Sequence, residues 1–151
     1  MNKLTFSLWN INGLRAILKK PYLEIYLAES NLDFLCFNEI RIDSQSLLNM
    51  SLPIYINERF PNKFFNSAQK KGYSGVAILT KHKPLNTFYN FNFLKEDHIE
   101  GRILTLEYSD FYLICLYSPM SGRQLERLDE RVDKWEVDLL DYINNLKSND
   151  F

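Results

Sequence analysis

Three segments near the N-terminus constrain the fold more than any other feature. Phe34-Leu35-Cys36-Phe37 is an unbroken apolar run of the kind found in strands covered on both faces. Upstream, Leu4, Phe6 and Leu8 alternate with Thr5, Ser7 and Trp9, a period of two that predicts a strand, and Asn12-Gly13 supplies the turn that ends it. Between them Pro21 suits the first position of a helix that carries Leu23, Tyr26 and Leu27 on one face and closes at Asn31. Strand, helix, strand in this order is a right-handed parallel crossover, which excludes an all-helical chain and a purely antiparallel one.

Further along, Asp43 to Asn49 predicts a short helix, Pro53 to Asn62 is a poor element former, and Gly75 to Thr80 reads as a strand. Ile103 to Tyr108 and Phe111 to Tyr117 flank Ser109-Asp110 and predict an antiparallel hairpin. From Leu125 onward, Leu128, Val132, Trp135, Leu139, Ile143 and Leu146 recur at steps of three and four, an amphipathic helix of about five turns with Ser121 as a cap. The expected class is α/β (α+β): one mixed β-sheet with helices on one face, in a single domain over residues 1–151. The opposite sheet face is left without a cover in this reading.

Composition excludes several classes. At 151 residues, 46% hydrophobic and 25% charged, the chain can bury a core and is not a disordered tail. A formal charge of -1 gives no global positive field, so contact with nucleic acid has to come from local patches. Cys36 and Cys115 sit in apolar runs without metal-ligand spacing and read as reduced core thiols. No apolar run approaches the roughly 18 residues of a membrane span, and the N-terminus lacks a signal-peptide layout; the expectation is an intracellular protein without a membrane partner.

Three apolar strands each end in a polar residue that their interiors do not explain: Asn10, Glu39 and Tyr117. In a parallel unit, Asn10 and Glu39 both emerge at carboxyl ends of strands, the edge where open α/β sheets bind ligands. Magnesium takes one or two protein carboxylates and fills its other positions with water and phosphate oxygens, so Glu39 beside an amide is a credible half-site. A solvated strand-end Glu is the plainer reading of the same spacing. His82 and His98 are isolated in sequence, and Lys70-Lys71 and Lys81 with Lys83 read as solvated loop charges, although they flank Tyr73 and could form a small basic patch. Phe60, Phe64, Phe65, Tyr89, Phe91 and Phe93 read as packing aromatics rather than base-stacking platforms.

The residues carry a resemblance. Ser7-Leu8-Trp9-Asn10-Ile11-Asn12-Gly13-Leu14-Arg15-Ala16 resembles the opening motif of the exonuclease III and AP endonuclease family. Phe34-Leu35-Cys36-Phe37-Asn38-Glu39-Ile40-Arg41 is similar to that family's strand ending in a metal-binding Glu, with Asn38 for the usual Gln and Ile40-Arg41 for the common Thr-Lys. Gly72 to Ala77, Glu100-Gly101-Arg102, Tyr117 to Gly122 and Arg127 to Arg131 follow in family order. The resemblance implies the N-terminal half of a four-layer α/β sandwich and magnesium-dependent (manganese as an option) hydrolysis of the DNA phosphodiester 5' of abasic sites, or 3'-5' exonuclease action. It implies that Glu39 binds the metal with Asn12 near it. Asn10 and Tyr117 would be catalytic groups, and Arg15, Lys20, Tyr73 and Arg123 would grip double-stranded DNA. The implied location is cytoplasmic, at the nucleoid, or nuclear.

The pattern departs from the family in two places. Met120 replaces the Asn of the Tyr-x-Pro-Asn turn, and the 151 residues hold neither the Gly-Asp-x-Asn motif of the general base nor the C-terminal His. General-base assistance is typically worth about 10²- to 10⁴-fold, so the expectation is a fragment inactive alone that needs a complementing C-terminal piece. Two alternatives stay open: a catalytically dead DNA- or protein-binding module, and the same fold acting on RNA or a phospholipid.

Overall fold

The structure, a computed structural model, describes residues 3–91 and 100–148. His98, Phe93 and residues 149–151, which entered the expectations above, lie outside the described residues. Among the described residues seven strands form two sheets. The first contains β1 (Phe6–Asn10), β2 (Phe34–Asn38), β3 (Asn62–Asn66) and β4 (Val76–Thr80) in the order β1-β2-β4-β3. β1 and β2 run parallel with Phe6 opposite Phe34 and Asn10 opposite Asn38, as the crossover predicted, while β4 is antiparallel to both β2 and β3. The second contains β5 (Asn86–Tyr89), β6 (Ile103–Glu107) and β7 (Tyr112–Leu116), antiparallel in chain order, with β6-β7 as the predicted hairpin.

The mixed α/β class holds, but the expected single sheet is two, and the inner face expected to be bare is covered by the chain's own β6 and β7. The cause is visible in β2, whose residues alternate between two cores. Leu35 and Phe37 face outward with Ala77 and Leu79 onto Leu14, Ile17, Leu23, Leu27, Ile56 and Phe60 of the helical layer. Phe34 and Cys36 face inward with Val76 and Ile78 onto Leu104, Leu106 and Cys115 of the second sheet. A strand apolar at every position has to be covered on both sides. That helical layer is α1 (Leu14–Leu18), α2 (Tyr22–Glu29), α3 (Ser44–Leu48) and α4 (Ile54–Arg59).

The outer face of the second sheet carries a further helical layer. A π-helical segment over Glu130–Trp135 runs into α5 (Glu136–Ser148), and Tyr142 and Leu146 bury against Phe91 and Ile103, with Tyr112, Ile114, Leu116, Trp135 and Leu139 around them. Helices therefore lie on both outer faces rather than on one. The predicted helix starts later than Leu125, which itself stands at φ 61, and Ser121 does not cap it by its side chain; instead its carbonyl accepts from the Arg127 N–H at 2.9 Å. The widened turn shifts the buried face, so Tyr142, which the regular spacing skips, becomes the deepest residue and donates its hydroxyl to Thr105 Oγ1 at 2.8 Å.

Pro53 to Asn62 was expected to form no element and instead gives α4 and the start of β3. Ile56 and Phe60, one helical turn apart and both fully buried, supply the tertiary reason that local propensity lacks. Of the packing aromatics, Phe60 and Phe91 are buried and Phe64 and Phe65 half-buried in the cores, whereas Tyr89 is exposed.

Candidate active site

β1, β2 and β7 end, and β4 and β6 begin, on the same rim of the two sheets. This is why Asn10, Glu39, Tyr117, Tyr73 and Arg102, distant in sequence, meet there. The backbone of the loops at this rim is unusual: Asn12, Glu39, Arg41 and Ser74 all hold φ between 43 and 55°, the left-handed region that non-glycine residues seldom occupy. Hydrogen bonds hold it there. Ile40 N–H donates to Gly75 O at 3.1 Å, Arg41 N–H to Ser74 O at 2.9 Å, and Gly13 N–H to Glu39 O at 2.7 Å. Gly75 has to be glycine: its φ is +85° and a Cβ would stand 2.5 Å from Ile40 Cγ1.

This scaffold aims one carboxylate at the rim. Glu39 Oε1 accepts from Asn10 Nδ2 at 2.8 Å and from the Tyr117 hydroxyl at 2.6 Å, and Oε2 pairs with Arg41 Nη2 at 2.5 Å. Burial pushes the Glu39 carboxyl up, but the hydrogen bonds from Asn10 and Tyr117 and the Arg41 charge outweigh it and hold the group below the usual carboxylate range. The Tyr117 phenol goes the other way. Burial first, then its hydrogen bond to Glu39 and that group's charge, push it up to about 12 against the opposing charges of Arg102 and Arg41. Asn10 is itself fixed, since its Oδ1 accepts from the Asn12 N–H at 3.2 Å.

A second cluster stands behind Tyr117. Arg102 is only 7% exposed; its Nη1 donates to Tyr117 O at 3.1 Å and its Nη2 to the Tyr73 hydroxyl at 2.8 Å, its Nε pairs with Glu100, and its guanidinium lies 5.4 and 5.1 Å from the ring centres of Tyr73 and Tyr117. Gly101 lets this corner approach β3: at φ +62° a Cβ would lie 2.5 Å from Asn66 O. Below the carboxylate, Asn38 Nδ2 donates to Leu116 O at 3.1 Å and ties the two sheets together.

Asn10, Glu39 and Tyr117 are thus brought together, with Asn12 joined to them through its backbone. Tyr73 reaches the group through Arg102. Arg15 and Lys20, in and just after α1, and Arg123, beyond β7, are exposed, and the hydrogen-bond and ion-pair partners of Glu39 among the described residues are Asn10, Tyr117 and Arg41 instead. Sequence reasoning did not single out Arg41 and Arg102 as site residues, although both fall inside the motif blocks. One expectation and one secondary option are corrected. His82 is not isolated, since its Nε2 lies 3.1 Å from Asp33 Oδ1 at the opposite end of the sheet. Lys81 binds Asn31 Oδ1 at 2.7 Å at that same far end, so it and Lys83 do not join Lys70, whose Nζ lies 5.2 Å from the Tyr73 ring centre.

Among the described residues no group of three His, Cys, Asp or Glu converges, which argues against a closed zinc-type site. One carboxylate with an amide beside it, on an open rim, does fit a hard cation that keeps most of its water. No helix among the described residues is long and apolar enough to cross a membrane.

The Endonuclease/Exonuclease/phosphatase family model matches residues 7–150. The chain is 37% identical to an exodeoxyribonuclease of Bacillus subtilis over 91% of its own length and 51% of that protein's. It is 34% identical to a DNA-(apurinic or apyrimidinic site) endonuclease of Dictyostelium discoideum over 97% of its own length and 39% of the relative's. Among solved structures, an AP endonuclease from Leishmania major superposes with a TM-score of 0.71 at 26% identity, covering 92% of this chain and 47% of that one. The chain spans about half the length, or less, of these relatives.

Proposed function

Because this chain belongs to the Endonuclease/Exonuclease/phosphatase family, we propose that its Glu39 rim is the metal- and phosphate-binding half of a DNA phosphodiesterase site that incises 5' of abasic sites. The observation that carries this reading is the single carboxylate held between an amide and a phenol, Asn10 Nδ2 at 2.8 Å and Tyr117 OH at 2.6 Å, at the carboxyl ends of parallel strands. Glu39 would hold a divalent ion, Mg²⁺ or Mn²⁺, with Asn10 and Asn12 beside it, and the bound ion would neutralise charge on a phosphate oxygen.

The chain's own groups have distinct tasks. Tyr117, whose phenol stays protonated far above neutral pH, turns its hydroxyl toward a phosphate oxygen as negative charge builds there. Arg102 fixes the ring that does this. Arg15, Lys20 and Arg123 are exposed cations for DNA phosphates, contacts that position a duplex without reading its sequence. Among the described residues nothing beside Glu39 takes a proton from water, since its neighbours are an amide, a phenol and a guanidinium. We assign the general base to a complementing segment, as the family resemblance implies, and the active protein works where DNA is, inside the cell.

The test is nicking of an abasic duplex with Mg²⁺. The chain alone gives no product; the chain co-expressed with the half of the Bacillus subtilis relative that it does not match nicks 5' of the site, and Glu39→Gln in the pair removes the activity. A co-purifying pair that fails to nick refutes the reading. The lack of a base beside Glu39 among the described residues also favours a second reading, a DNA-binding module without cleavage. That reading requires the chain alone to bind abasic duplex in a salt-dependent way, with loss on Arg15→Ala and Arg123→Ala.

A further inference from the structure

The two oxygens of Glu39 are held differently. Oε1 is fixed by Asn10 and Tyr117, both at the ends of strands in packed sheets, at 2.8 and 2.6 Å. Oε2 is held by Arg41 Nη2 at 2.5 Å and, among the described residues, by no other hydrogen-bond or ion-pair partner. The Glu39 side chain is 13% exposed and the Arg41 side chain 44%. The position a cation would take on this carboxylate is therefore filled by a cation the chain supplies itself.

We propose that Arg41 is a built-in competitor for the metal: a divalent ion binds Glu39 by displacing the Arg41 guanidinium from Oε2, and Arg41 thereby sets the metal affinity of the site. This rests on the metal reading above. A guanidinium and a divalent cation repel each other at one carboxylate oxygen, and a hard ion needs that oxygen's lone pair directly. Displacement is local. Arg41 is anchored at its backbone, with φ 48° and its N–H on Ser74 O at 2.9 Å, so only the side chain has to move. Because that side chain is already in contact with solvent, the released guanidinium goes into water rather than through packed core.

The test uses this chain and Mn²⁺ as the probe, with free Mn²⁺ read by electron paramagnetic resonance. Arg41→Gln binds Mn²⁺ roughly fivefold more tightly than the wild type, the upper range for losing a partly exposed ion pair. Arg41→Lys, which keeps the charge, stays near wild type, and Glu39→Gln abolishes binding in either background. Equal or weaker binding by Arg41→Gln, with Glu39→Gln still abolishing it, overturns the competitor role and leaves the metal reading standing. Absence of binding by wild type and Arg41→Gln alike overturns both. The nitrogen-15 side-chain spectrum of the wild type gives a reading that needs no variant: as Mg²⁺ saturates, the Arg41 guanidinium signals move to values of a freely exchanging group. Signals that stay unchanged at saturation reject the displacement.

Discussion

Glu39 and Tyr117 share one short hydrogen bond, and its two ends move in opposite directions: the carboxyl is held low and the phenol is pushed up to about 12. An unfolded Tyr ionises near about 10. A raised folded value means that the contribution to stability is fully present below about 10 and is lost as pH rises through about 12. Burial also raises Tyr55, Tyr89, Tyr108 and Tyr142, so alkaline titration of the phenolate absorbance shows a late group of tyrosines that loses one member in Tyr117→Phe and has one member ionising earlier in Glu39→Gln. That member does not fall all the way to the unperturbed value, because burial is the largest cause of the shift. Asn10, Glu39 and Tyr117 were legible in the sequence because each is a polar residue placed directly after an apolar strand. Arg102 was not legible: an arginine is surface by default, and its burial depends on Tyr73 and Tyr117, 29 and 15 residues away.

At the scale of elements, the start of β2 is clamped to the start of β1 by Asp33, whose Oδ2 accepts from the Thr5 N–H and hydroxyl, both at 2.8 Å, while Oδ1 meets His82 after β4 at 3.1 Å. Burial raises the Asp33 carboxyl, but the Thr5 hydrogen bonds, His82 and Lys81 together lower it below its ordinary value. A lowered folded value gives stability that is present above the unfolded value, near about 3.9, and is lost as pH falls through the folded one. Asp33→Asn therefore reduces stability at neutral pH and flattens its decline toward acid, as urea midpoints measured at several pH values will show. α4 offers a separate check. Local propensity around Pro53 did not predict it, and its stability rests on tertiary burial, so Ile56→Ala, fully buried against the first sheet, costs about 2–5 kcal/mol in urea unfolding. β3 and β5 were missed for a related reason. β3 is apolar only at Phe64 and Phe65 between polar ends, β5 is four residues long and polar in its first half, and each pairs with its neighbour across a long connection rather than a tight turn.

For the whole molecule, the pairing of sheets decides what is covered and what is not. The sequence pattern implied a second layer over β2 and expected it to come from elsewhere; the hairpin β6-β7 supplies it, because Leu104, Leu106 and Cys115 complete the core around Phe34 and Cys36. Cover by the second sheet is thin over β1, where Phe111 meets the Phe6 ring edge-on at 6.5 Å. Phe6 and Leu8 share the inward face with Phe34 and Cys36 through the parallel register, yet remain 50% and 63% exposed. β1 and β7 are both edge strands, and β7 packs toward β2 rather than β3, so the two open edges lie on one flank. Unpaired edges beside exposed apolar side chains are templates for association. This chain alone therefore self-associates as its concentration rises, and Leu8→Lys, which places a charge on that face, keeps it monomeric by light scattering with little change in urea midpoint. Persistence of the same association in Leu8→Lys would place the sticky surface elsewhere. The buried thiols give an internal control in the same samples: Cys36 and Cys115, 6% and 3% exposed, react with a thiol reagent only at the rate of global unfolding, in the monomer and the associated form alike.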